Sequence, residues 1–119
     1  MSIVYVVQDQ QRFDHERGEL VPRFDLSSAE KYGELEFLLS PSAAPWASAS
    51  ISQELDMVLQ HYDDEDYLLL VGNPVLIGMA VATAAGYNDG RVRMLQWSGR
   101  DERYLSIVAI IPVLAQAPA

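Results

Sequence analysis

The stretch Tyr67-Leu68-Leu69-Leu70-Val71-Gly72-Asn73-Pro74-Val75-Leu76-Ile77-Gly78-Met79-Ala80-Val81 decides how this chain folds. It belongs to 21 residues, Tyr67 to Tyr87, that carry no charge and would be long enough to cross a bilayer as a single helix. The turn signal Gly72-Asn73-Pro74 interrupts that run, and acids rather than Lys or Arg precede it. A buried strand from Tyr67 to Val71 followed by a buried helix accounts for the interruption better. Asn73 caps that helix, and Pro74 takes its first position, where the missing amide hydrogen does no harm. Gly86 is expected to stop it after about Ala85.

Working outward toward the N-terminus, Ser50 and Gln53 read as a capping box that opens an earlier helix. Ile51, Leu55, Val58, Leu59 and Tyr62 follow at helical spacing, with Gln53, Glu54, Asp56 and Gln60 on the wet side. Leu35 to Leu39 and Ile3 to Val7 are short apolar runs and read as strands. Between them, residues 9–31 turn polar, with Gly18 and Pro22 as breakers, and read as a long loop; 40–50 reads as a connector. Toward the C-terminus, Asn88-Asp89-Gly90 turns the chain into a strand from Arg91 to Trp97. A turn containing Gly99 leads to a last strand, Tyr104 to Ile111, antiparallel to it, and 112–119 reads as a frayed tail.

This order predicts a single α/β domain over residues 1–111. It has three layers, a mostly parallel sheet of about five strands, two main helices and an antiparallel C-terminal edge strand. The second helix has almost no polar face and must be covered on more than one side, which in so small a chain points to a second copy.

At 119 residues and 13.3 kDa the chain has one domain's length. It contains no cysteine, which excludes disulfides, thiolate metal sites and cysteine nucleophiles. With 17 acids against 8 bases its formal charge is −9, which argues against a face that meets phosphate backbones, so no direct nucleic-acid contact is expected. The N-terminus has no signal-peptide pattern, and no membrane partner is expected. The acidity is uneven: residues 1–66 hold 14 acids and 4 bases, while 67–119 hold 3 acids and 4 bases. Glu54, Asp56 and the run Asp63-Asp64-Glu65-Asp66 make the candidate partner surface, which suits a basic protein or imitates DNA; solubility is the plainer explanation.

Ligands of parallel sheets lie beyond the carboxyl ends of the strands. The residues there are Gln8, Asp9 and Gln10, then Ser40 and Ser42, then Gly72 and Asn73, then Ser98 and Arg100. The candidate ligand site is therefore Asp9, Ser40, Gly72, Asn73 and Arg100. The helix start at Gly72-Asn73 is a weak anion site, or simply a turn and a cap, because no glycine-rich phosphate loop accompanies it. The acidic run lacks the alternation and central glycine of a calcium loop. His15, beside Asp14 and Glu16, makes a weak metal pair, and His61 reads as a helix-end cap. No serine sits in a nucleophile elbow, so no catalytic residue, metal or cofactor is expected. Trp46 and Trp97 read as core or interface anchors.

The pattern Tyr-Leu-Leu-Leu-Val-Gly-Asn-Pro-Val-Leu-Ile-Gly-Met-Ala-Val-Ala from Tyr67, together with Asn88-Asp89-Gly90-Arg91-Val92 and Leu95-Gln96-Trp97-Ser98-Gly99-Arg100, resembles small uncharacterised proteins encoded by tailed bacteriophages and prophages. The N-terminal Val-Tyr-Val-Val-Gln is similar to theirs as well. The resemblance implies a phage accessory protein in the cytoplasm of a bacterial host, and it carries over no catalytic residues. Two functions are expected on these grounds. The first is a non-enzymatic, self-associating module that binds another protein, such as a host factor, through its acidic surface. The alternative is a small nucleotide or phosphate binder, or a hydrolase, that uses the crevice at the strand ends.

Overall fold

The computed structural model describes residues 2–113. The elements are β1 (Ile3–Gln8), β2 (Gln11–Asp14), β3 (Glu19–Pro22), a 3-10 helix (Ser27–Tyr32), β4 (Glu34–Leu39), α1 (Ser48–Leu59), β5 (Tyr67–Leu69), α2 (Pro74–Tyr87), β6 (Arg91–Ser98) and β7 (Arg103–Ile110). Five of the strands form one sheet in the order β4-β1-β5-β6-β7. Every pair is parallel except β6–β7. The α/β class, the parallel sheet and the antiparallel last strand at its edge are therefore as the sequence predicts.

Alternation along the strands builds two cores. Tyr5 and Val7 of β1, Leu68 of β5 and Val92 of β6 face the two α-helices and meet Ile51, Leu55, Leu59, Leu76, Ala80 and Ala84. Val4, Val6, Leu69 and Leu95 face the other way and are covered by Ala29 of the 3-10 helix and by Tyr104. A residue from each face alternates along β1, so Val4 to Val7 are all buried and the strand reads as continuously apolar. Leu55, Leu59 and Leu76 are fully buried, and each contributes about 2 kcal/mol of hydrophobic stabilisation.

Residues 9–31 are not a bare loop. They form the β2–β3 hairpin, whose turn closes through Gly18 N–H donating to Asp14 O at 2.7 Å, and then the 3-10 helix. Almost none of the hairpin is buried, so no apolar period marks it in the sequence. Helix α1 begins at Ser48, two residues before the expected capping box, and Ala47 holds the N-cap position without a side-chain hydrogen bond. Asn73 does cap α2, its side chain accepting from Val75 N–H at 2.8 Å, with Pro74 first in the helix. Gly86 does not stop α2, which runs to Tyr87 and ends where Asn88 and Gly90 donate back to Ala84 and Ala85. The apolar faces of α2 are covered largely by α1, β1 and β6 of the same chain, which leaves Val75, Gly78, Ala82 and Gly86 outward. Of the expected tail, Pro112 and Val113 are exposed and outside any helix or strand, and 114–119 lie outside the described residues.

Candidate functional site

The chain leaves β1 over one face, through the hairpin and 3-10 helix, and leaves β5 over the other, through α2. The carboxyl ends of β1 and β5 therefore form the switch point where an open α/β sheet offers its crevice. Gln8, only 3% exposed, fills it. Its Oε1 accepts from the Asn73 backbone N–H at 2.9 Å and from Gln10 Nε2 at 3.1 Å. Its Nε2 faces the carbonyls of Ser40, Pro41 and Ala43 at 3.2, 3.4 and 3.3 Å. Gly72 makes room for this side chain. Its φ is +130°, and a Cβ there would lie 2.6 Å from Cβ of Gln8, inside any permitted contact.

The amide at which an anion would dock on α2 is thus already satisfied by a neutral side chain of the same chain, and the Val75 amide by Asn73. Ser40, Gly72 and Asn73 do come together, around Gln8. The Ser40 hydroxyl pairs with that of Ser42 at 3.1 Å. Asp9 lies beside them, its N–H donating to Leu39 O at 3.1 Å, and its side chain lines a separate cleft. Arg100 stands apart, exposed in the β6–β7 turn.

Two open clefts flank residues 23–28 on the 3-10 side of the sheet. One, of about 610 Å³, is lined by Asp9, Gln10, Phe24, Asp25, Glu30 and Phe37 among others. The second, of about 740 Å³, is lined by Gln10, Arg23, Phe24, Asp25, Ser28, Leu70, Val71, Trp97 and Tyr104 among others. Arg23 stacks on Phe24 with its guanidinium 5.5 Å from the ring centre, and Trp97 meets Tyr104 edge-on at 5.1 Å. Hydrogen bonds from Ser27, first its side chain and then its backbone, hold the Asp25 carboxyl below its ordinary value. Burial, and next the charge of Asp25, raises the Tyr104 phenol. The sequence marks Trp97 as an anchor at a strand end. It does not place Arg23 or Phe24, because they reach the cleft only through the unanticipated hairpin.

At the opposite pole, Glu54, Asp56, Asp63, Asp64 and Glu65 are exposed. Several of these acids already have internal partners. The Tyr87 hydroxyl donates to Asp56, and Asp64 receives Asn88 Nδ2 at 2.9 Å and pairs with Arg91 at 3.4 Å. Asp66 does not belong to that surface. It is 4% exposed, and its two oxygens accept from the backbone N–H groups of Ile3 and Asp63, both at 3.0 Å. Burial raises its carboxyl above the ordinary value, and the two N–H donors offset part of that rise. His15 packs edge-on against Phe13 in the hairpin, and His61 is exposed beyond α1. Among the described residues no group of three His, Asp or Glu is placed to hold a metal, and no helix is long and apolar enough to cross a membrane.

Fold and site together define a small α/β protein whose single doubly wound sheet has its switch point closed by its own glutamine. The chain belongs to the Phage Pam3 gp32-like protein family, whose model matches residues 2–110, nearly the whole described chain. No curated protein and no solved structure matches it at a significant level of similarity.

Proposed function

We propose that this phage protein is a non-enzymatic binding module that acts in the host cytoplasm, associates with a second copy of itself and engages a basic partner protein through its acidic surface. The observation that carries this reading is the division of the molecular surface. Glu54, Asp56, Asp63, Asp64 and Glu65 are exposed around α1 and the turn that follows it. The exposed apolar residues Ile107, Val108 and Ile110 lie on the far edge of the sheet. A one-sign patch of this kind steers an oppositely charged partner and weakens as salt rises. The test is solution mass by light scattering together with a pull-down from bacterial lysate at low and high salt. Capture of one basic protein, lost on Glu54→Lys with Asp56→Lys, is the expected outcome. A strictly monomeric chain with no recoverable partner overturns the reading.

One observation favours a second reading, a small nucleotide or phosphate binder. The cleft of about 740 Å³ has the size of a ligand pocket and combines Arg23 with the aromatic faces of Phe24, Trp97 and Tyr104. Gly72 also lines this cleft, so such a ligand would lie beside the Gln8-filled helix start rather than at it. A thermal-shift panel of nucleotides decides it, since a ligand at a hundred times its Kd adds about 2.7 kcal/mol.

A further inference from the structure

The sheet ends at one side in β4, which carries the exposed carboxylates Glu34 and Glu36, and at the other in β7. From Tyr104 to Ile111 the β7 side contains no charge and no proline, the usual guards of an edge strand. It pairs with β6 without a bulge, from Arg91↔Ile110 to Ser98↔Arg103. The direction of its free backbone groups follows from two bonds. Ile111 N–H donates to Gly90 O at 2.7 Å, so the odd-numbered residues of β7 bond inward to β6. Leu95 O accepts from Leu70 at 3.1 Å on the far side of β6, which agrees with that phase. The N–H and C=O groups of Tyr104, Ser106, Val108 and Ile110 therefore point out of the sheet.

We infer that β7 pairs antiparallel with β7 of a second copy about a two-fold axis at Ile107, joining two five-stranded sheets into one. This rests on the self-association in the reading above and names its interface. In that register every outward residue meets another: Tyr104 opposes Ile110 of the second copy and Ser106 opposes Val108. Each such pair exchanges two bonds, for about eight in all. Ile110, 77% exposed, gains an aromatic neighbour, the kind of cross-strand pair that stabilises sheets. Charge selects a second copy at this edge. Residues 67–119 hold 3 acids and 4 bases, so two strongly acidic chains repel least here, whereas pairing through β4 would oppose carboxylates. Antiparallel strands also suit an isologous contact, in which one surface meets itself.

Light scattering on the full chain tests this, alongside Val108→Pro, which removes an outward N–H without touching the β6 ladder, and Ile107→Lys, which sets two ammonium groups face to face at the axis. The expected result is a wild-type mass of twice 13.3 kDa that halves in both variants at unchanged circular dichroism. A wild-type dimer that persists in both folded variants overturns the β7 interface and leaves self-association standing. A wild-type monomer overturns both. If the variants do not fold, hydrogen exchange on the wild type decides. Outward amides of Ser106, Val108 and Ile110 as slow as the inward ones of Leu105 and Ile107 support the pairing, and fast ones overturn it.

Discussion

Gln8 and Asp66, the two buried polar residues among the described residues, sit at opposite poles of the central strands and do the same job with different chemistry. At the carboxyl pole the unsatisfied groups are of both kinds: the amide of Asn73, the N-cap of α2, needs an acceptor and the carbonyls after β4 need a donor. Glutamine supplies both from one neutral side chain. At the amino pole only N–H groups converge, from Ile3 and Asp63, and an acceptor-only carboxylate meets them with both oxygens. The contrast shows that each pole is closed by the side chain whose hydrogen-bonding inventory fits the backbone there, and that a buried acid need not be a functional one.

The sharpest way to break the comparison is Gln8→Glu. It keeps the acceptor for Asn73 but turns a carboxylate toward the carbonyls of Ser40, Pro41 and Ala43, and we expect a loss of about 3 kcal/mol in urea unfolding at pH 7. The loss shrinks toward pH 4, where the new carboxyl takes a proton and can donate. A change under 0.5 kcal/mol would mean that this pole is wet, by the usual size of surface effects. Next in size is Gly72→Ala, expected to cost about 2 kcal/mol because the added methyl meets Gln8 on a positive-φ backbone. Asp66→Asn follows at about 1–2 kcal/mol, since one N–H of the pair then faces an amide NH₂. If Asp66→Asn proved the more damaging of the polar exchanges, the argument from inventories would be wrong. The last effect is read in alkali. Burial first, then the charges of Asp66 and Glu36, pushes the Tyr5 phenol up to about 12, from an ordinary 10.0. The folded chain keeps a proton that the unfolded chain releases, so this contribution is complete below pH 10 and fades toward pH 12. An ultraviolet titration that finds every tyrosine ionising near 10 would contradict it.

Much of this fold is legible in the sequence because its signals are local. Asn73-Pro74 marks a helix start with its own cap, and Ile3 to Val7 can only be a strand covered on both faces. The hairpin is illegible for the converse reason: its strands bury almost nothing, so no period records them. The polar residues fare worst. Asp66 reads as the last acid of a solvated run, and nothing nearby in sequence says that Ile3 will bring an N–H to it. Of the candidate ligand residues, Ser40, Gly72 and Asn73 do converge, because strand ends in a parallel sheet are predictable. What they converge on, Gln8, has its role assigned by contacts with distant residues.

The position of β1 between β4 and β5 also bears on how the molecule is made. Among the described strands the earliest in sequence is one of the most deeply buried, yet its second neighbour, Tyr67–Leu69, is made more than fifty residues later. Until then the run Ile3 to Val7 has at most one sheet partner, while α1, α2 and the β6–β7 pair can each close over short stretches of chain. Contacts that span such long separations are the slow ones in folding. Nascent chains of this protein therefore depend on how long that apolar strand can be kept from meeting another like it.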